Sequence, residues 1–165
     1  MVWAPLASGG LVLLAGLVSL WLRQPWLFPS LGPTAFIQAH RPHAKVARFH
    51  NTVLGHLLGI VAGYACVVLF GAAHVSSIIA ASHVSFARVA ASALAVALTM
   101  FGELVLDAYH PPAAATTLII TLGVSGATWR GLLGLTIGIA IVAVAGEALR
   151  RARAHATPRS GPDEE

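Results

Sequence analysis

Four stretches of the chain, Val2–Leu22, Asn51–Ala73, Val89–Gly102 and Gly131–Gly146, contain no Asp, Glu, Lys or Arg. The hydrocarbon layer of a bilayer is about 30 Å thick and takes roughly 20 apolar residues per helix. Runs of this length and purity constrain the fold more than any motif does. Composition agrees with them, since 57% of residues are hydrophobic and only 10% are charged, whereas soluble domains carry about 25% charged residues. The chain reads as an all-α integral membrane protein.

The ends and the charges narrow the class further. No Lys or Arg precedes the first apolar run, and that run exceeds the roughly 7–15 residues of a signal-peptide core, so a cleaved leader is not expected. The net charge of +4 comes from residues at helix ends and in the tail, a pattern that does not suggest a nucleic-acid partner. Cys66 is the single cysteine, which excludes a disulfide within the chain, and its apolar surroundings favour an inert thiol. Residues 157–165, TPRSGPDEE, are polar and rich in helix breakers and read as a disordered tail behind a single transmembrane domain over 1–156.

A repeat runs through that domain. At an offset of 79 positions Pro33 meets Pro112, Ala35 meets Ala114, Leu54-Gly55 meets Leu133-Gly134, and Gly59-Ile60 meets Gly138-Ile139. Each half, about 1–71 and about 80–150, reads as a long helix, a break, a short helix led by proline, and a third helix. The pattern predicts Trp3–Phe28, Pro33–Ala39 and Asn51–Phe70, then Phe86–Ala108, Pro111–Leu122 and Trp129–Arg150.

Two topologies fit this order. If the short segments dip in and return, there are four crossings, parallel repeats, and five basic residues on each side. If they cross, the halves are inverted. Arg23, Arg88 and Arg130 then share one side, and Arg41, Lys45, Arg48 and the four arginines from Arg150 to Arg159 share the other. Seven against three follows the positive-inside rule and puts both termini in the cytoplasm, as in a bacterial inner membrane. The inverted arrangement, with four full helices and two short Pro-led ones, is therefore preferred, although Pro33–Ala39 rises only about 10 Å as a helix.

Gly55, Gly59 and Gly63, with Gly134 and Gly138, form stripes at i, i+4 spacing and read as packing faces, inside the bundle or between subunits. The prolines carry more. Proline is tolerated in the first helical turn, where its missing N–H would have had no partner. Pro33 and Pro111-Pro112 thus predict two helix N-termini at corresponding places within the membrane. Broken helices in matching halves point to a transporter site, and free N–H groups at a helix start favour an anion. The candidate donors are Thr34 and Ala35, beside Gly32 and Pro33, and Ala113 and Ala114, beside Pro112. The competing possibility is that Thr34, Thr116 and backbone carbonyls cap these ends and nothing binds.

The ordered motifs LGPTA, RFHNTVLGHLLG and HPPAAATTLI resemble the HPP family of integral membrane proteins, over roughly Leu31 to Leu122. Gly32, Pro33, Asn51, Gly55, His56, His110, Pro111 and Pro112 fall within the matching motifs. The run AAATT, where glycine is common in the family, is a small departure. That family is linked to nitrite transport, so the resemblance implies an anion transporter with nitrite as the implied substrate.

Ionisable residues inside a membrane are costly and functional by default. Glu103, Asp107 and His110 stand at i, i+4 and i+7 and share one face if the helix holds to the break. Mutual repulsion and desolvation of the two carboxylates suit proton-coupled uptake, although Glu103 and Asp107 could instead pair with Arg41, Lys45 or Arg48. Glu147 reads as the partner of Arg151 at i, i+4. His56 could line a path or bond a neighbouring helix, whereas His40, His43, His50, His74, His83 and His155 read as surface residues. No second carboxylate–histidine helix accompanies Asp107 and His110, so no metal or other cofactor is expected. G-x-S-x-G and H-E-x-x-H are both absent, which argues against an intramembrane enzyme. A small-anion transporter or channel, assembled as a homo-oligomer, stands against a scaffold subunit that packs through its glycine faces and moves nothing.

Overall fold

The computed structural model describes residues 2–126 and 128–156, so the tail expected over 157–165 lies outside the described residues. Seven α-helices are present among the described residues: α1 Trp3–Trp21, α2 Leu31–His40, α3 Phe49–Leu69, α4 Ile78–Ala81, α5 Phe86–Val105, α6 Ala113–Thr121 and α7 Trp129–Ala156. Among the described residues α1, α3, α5 and α7 are long and apolar enough to span a membrane. With 10 and 9 residues, α2 and α6 rise only about 15 and 14 Å.

Two long helices stop earlier than their apolar patterns suggest, for the same reason. After α5, Asp107 takes a left-handed conformation (φ 48°). The N–H of Asp107 donates to Leu104 O at 3.4 Å, and that of Ala108 to Glu103 O at 2.8 Å. These are the paired bonds of a Schellman turn, which satisfy carbonyls the helix end would otherwise orphan. After α1, Arg23 (φ 52°) plays the same part, with Arg23 N–H on Leu20 O and Gln24 N–H on Ser19 O. α1 therefore ends at Trp21 rather than Phe28, and α5 at Val105 rather than Ala108. The proline positions also differ between the short helices. Pro112 is the N-cap of α6, but α2 begins at Leu31, two residues before Pro33. A proline at the third helical position still removes only a donor that lacks an intrahelical partner.

The chain divides into two compact units, residues 1–53 with 134–165 and residues 54–133. The divisions fall inside α3 and α7 and do not follow the sequence repeats. Each unit combines the long and short helices of one half with the third helix of the other.

In the unit of residues 54–133, α3 lies on α5 and α6 through its glycines. A β-carbon on Gly55 would sit 2.8 Å from Glu103 Oε1, one on Gly59 2.8 Å from Thr117 Oγ1 and 2.9 Å from Ala113 O, and one on Gly63 3.2 Å from Ile120. At Gly59 the neighbour is backbone and cannot give way, so the stripe packs helices within the bundle. α6 returns alongside α5: Thr117 meets Thr99, Thr121 meets Ser92, and Leu122 O accepts from Ile78 N–H ahead of α5. The segment from Leu106 to Leu122 thus starts at the end of α5 and finishes beside its beginning.

In the other unit α7 plays the same part. Gly134 lies on Trp26, Gly138 on Trp26 O and Leu31, and Gly146 on Gln38, so α2 and α7 run in the same direction. Arg153 stands 5.3 Å over the Trp3 ring, which puts the start of α1 next to the end of α7. Glu147 accepts from Arg150, from Arg151 and from the Phe49 N–H at the first turn of α3, while Arg150 also donates to Pro42 O at 2.6 Å. The ion pair read from the sequence is present, and the same carboxylate caps a helix N-terminus, where negative charge is favoured.

Burial inverts the soluble pattern. Leu20 is 75% exposed and Phe86 85%, whereas Gln38, His110, Thr116 and Thr117 are 0% exposed. Apolar side chains face outward, as a lipid-facing surface requires, and polar ones line the interior.

Candidate functional site

Within the unit of residues 54–133, the face of α5 carrying Ser92, Thr99 and Glu103 opposes α6, with α3 closing over both. Ser92 and Thr121 hydroxyls pair at 2.7 Å and Thr99 and Thr117 at 2.9 Å. Each hydroxyl has a single hydrogen, so one member of the Thr99–Thr117 pair donates to the other, which in turn donates to a carbonyl of its own helix, Ala95 O or Ala113 O. In a low-dielectric interior such pairs satisfy polar groups that would each cost several kcal/mol unpaired, about 2–7 by the choice of reference state.

At the start of α6 the ladder meets ionisable groups. His56 Nδ1 lies 2.8 Å from Thr116 Oγ1, its tautomer deciding which atom donates. The His56 and His110 rings stand edge to face, 5.0 Å apart at 65°. Gly55 brings the backbone of α3 against both the Glu103 carboxylate and the His110 β-carbon. Glu103 is buried, and its Oε1 has no hydrogen-bond partner among the described residues. One acid, two imidazoles and a hydroxyl therefore converge around one glycine of α3. Such a group can accept and donate hydrogen bonds to a small ion and can hold a proton. Among the described residues no three His, Cys, Asp or Glu side chains are placed to hold a metal.

Two expectations change. The N–H groups of Ala113 and Ala114 are not free: they donate to His110 O at 2.9 Å and Pro111 O at 3.1 Å, and Ala115 N–H donates to Pro112 O at 3.1 Å. A tight first turn of three-residue bonds consumes the donors that an unstructured approach would leave open. Carbonyls therefore take up the first N–H groups of α6. Nor do Glu103, Asp107 and His110 share a helix face, because α5 stops before Asp107. That residue is exposed while the other two are buried.

The remaining candidates are placed as follows. Ala113 is buried against Gly59, Pro112 is buried, and Ala114 is half-buried. In the other unit, Pro33 is exposed, Gly32 half-buried and Ala35 buried, and buried Thr34 donates its hydroxyl back to Ser30 O at 3.0 Å. Residues not singled out in the sequence also matter. Ser92, Thr99, Thr117 and Thr121 build the ladder, and their i, i+7 and i, i+4 spacings along α5 and α6 were the available signal. Gln38 is wholly buried with its Oε1 unpartnered among the described residues, as is Ser30 Oγ. The spacing of Ser30, Thr34 and Gln38, four apart on one face, could have found them.

A family model described as HPP, transmembrane region, matches residues 1–158. No curated protein and no solved structure matches the chain.

Proposed function

The chain belongs to the HPP transmembrane family, and on that premise we propose that it passes a small monovalent anion across the membrane along the polar interior of residues 54–133. Nitrite, which the family resemblance implies, is the first substrate to test. The observation that carries the proposal is the convergence of His56, His110, Glu103 and Thr116 at one buried point between membrane-spanning helices. A scaffold has no need of such groups, and ionisable side chains are rare in membrane helices outside ion and proton pathways. The anion meets imidazole and hydroxyl donors here, with the N-terminal dipole of α6 behind them.

The carboxylate sets the coupling. An anion among these side chains and a charged Glu103 repel each other, so the anion travels with a proton held at Glu103, and uptake rises as the outside is acidified. Asp107, exposed beyond the helix end, serves as a relay to water. The inverted arrangement of the halves is part of the proposal. It is supported by the return of α6 alongside α5, by the common direction of α2 and α7, and by the nearness of Trp3 to Arg153, which puts both ends of the bundle on one side; the excess of basic residues there favours the cytoplasm.

A hydrogen bond to a charged group is worth about 1.5–3 kcal/mol, or roughly ten- to a hundredfold in apparent affinity. Uptake of nitrite and a panel of monovalent anions into proteoliposomes therefore falls by that factor in His110→Ala, at unchanged folding. Equal uptake by wild type and His110→Ala contradicts the proposal.

A further inference from the structure

A second feature of residues 54–133 lies beside the C-terminus of α6, at the far end of the hydroxyl ladder from Glu103. Arg88, in the first turn of α5, is 4% exposed. Its Nε donates to Ser76 O at 2.8 Å, Nη1 to Thr121 O at 2.7 Å and Nη2 to Val75 O at 2.5 Å. These bonds tie the end of α6 and the loop before α4 to one cation. A guanidinium has five N–H donors, so two remain. No carboxylate among the described residues forms an ion pair with it, since the pairs present join Glu147 to Arg150 and Arg151. Carbonyl dipoles offset part of its charge, but a buried cation without a counter-ion is costly.

A cavity of about 270 Å³ opens against this guanidinium, with Val67, Val75 and Ile120 in its wall beside Ser77 and Gly123. Gly123 is required there: its φ is +76°, and a β-carbon would lie 2.6 Å from Nη2 and 2.8 Å from Cζ. Ser77 Oγ accepts from Ala80 N–H at 3.2 Å, which leaves its own O–H to donate. We propose that this cavity binds a small, weakly hydrated monovalent anion, of the halide or nitrate kind, on the remaining N–H groups of Arg88 and the Ser77 hydroxyl. A water molecule takes up roughly 30 Å³, so the space holds such an ion with part of its hydration. The apolar wall and the few donors disfavour sulfate or phosphate, which need more hydrogen bonds to replace their water. Binding here needs no transport, so the site stands or falls apart from the proposed activity.

Calorimetric titration of the purified protein in detergent with sodium bromide, against sodium sulfate at matched ionic strength, tests it. Wild type gives saturable heat with bromide and none with sulfate. Ala73→Phe, an exposed position on the cavity wall, weakens bromide binding at least about tenfold. No saturable heat in wild type, or full affinity in folded Ala73→Phe, overturns the proposal. So does loss of binding in His110→Ala alone, which would put the ion among the histidines. Anomalous scattering from bromide-soaked wild-type crystals gives an answer independent of the variants: a peak in contact with Arg88 Nη supports the site, and peaks only elsewhere refute it.

Discussion

The two units use equivalent parts and bury different chemistry. Each packs a short helix under a glycine-bearing third helix, Gly55 and Gly59 over α6 in one and Gly134 and Gly138 over Trp26 and Leu31 in the other. The repeat offset pairs His56 with Leu135 and His110 with Leu31, and both leucines are fully buried. Where residues 54–133 set two imidazoles beside a carboxylate, the other unit sets two leucines. Its buried acid, Glu147, is already held by Arg150 and Arg151. The one crossing buries apolar side chains and the other buries ionisable ones. Close packing at glycine is common to both units; the side chains buried at the crossing are what differ.

The largest effect comes from closing those crossings. Gly59→Val and Gly138→Val each force a β-carbon onto backbone, at Ala113 O and Trp26 O respectively, and each should destabilise by about 1–3 kcal/mol or more. Thermal unfolding in detergent would show comparable losses in the two units. A large loss in one alone would break their equivalence as scaffolds.

Next is proton coupling, which separates the units by chemistry. A one-unit pH gradient supplies about 1.4 kcal/mol per proton, so wild-type uptake gains up to about tenfold when the outside is acidified by one unit. Glu103→Gln removes that gain. Asp107→Asn, which takes away the proposed relay but leaves Glu103 in place, reduces the gain without abolishing it. A full pH response in Glu103→Gln would make the carboxylate structural and the protein a channel.

A smaller effect belongs to the hydroxyl ladder. Thr99→Val removes the bond to Thr117 and should cost about 0.5–1.5 kcal/mol, read from the unfolding midpoint. The smallest is shared by both units. Arg23→Gly and Asp107→Gly relieve left-handed residues at matching helix ends, and each should stabilise by roughly 0.5 kcal/mol, the relieved strain being partly offset by the entropy of glycine. Destabilisation at either would show that its side chain does more than end a helix.

Much of this was legible in the sequence because it rests on local chemistry. The apolar runs located all four long helices, Phe86 and Trp129 as starts among them, and the i, i+4 glycines announced close packing. Glu147 with Arg151 followed from spacing alone. The early stops at Trp21 and Val105 were not legible, because Arg23 and Asp107 are unusual residues for a left-handed helix end, where glycine is the common signal. The partner of each glycine stripe was hidden for another reason: that α3 packs on α5 and α6, and α7 on α2, is a long-range choice between similar apolar faces. His56 and His110 were visible as costly residues, but their contact across 54 positions of chain is a product of that choice. The spent donors of Ala113 and Ala114 could be read only once the first turn of α6 was seen to be tight.

The most direct test gives residues 54–133 the leucines that the other unit already has. His56→Leu with His110→Leu fills the site with the side chains that pack at Leu135 and Leu31, so the double variant should fold and insert normally. Its anion uptake in proteoliposomes, measured beside wild type at equal protein and with an acid outside, should fall to the level of empty vesicles. Uptake at the wild-type rate would contradict the assignment of the pathway to this buried cluster.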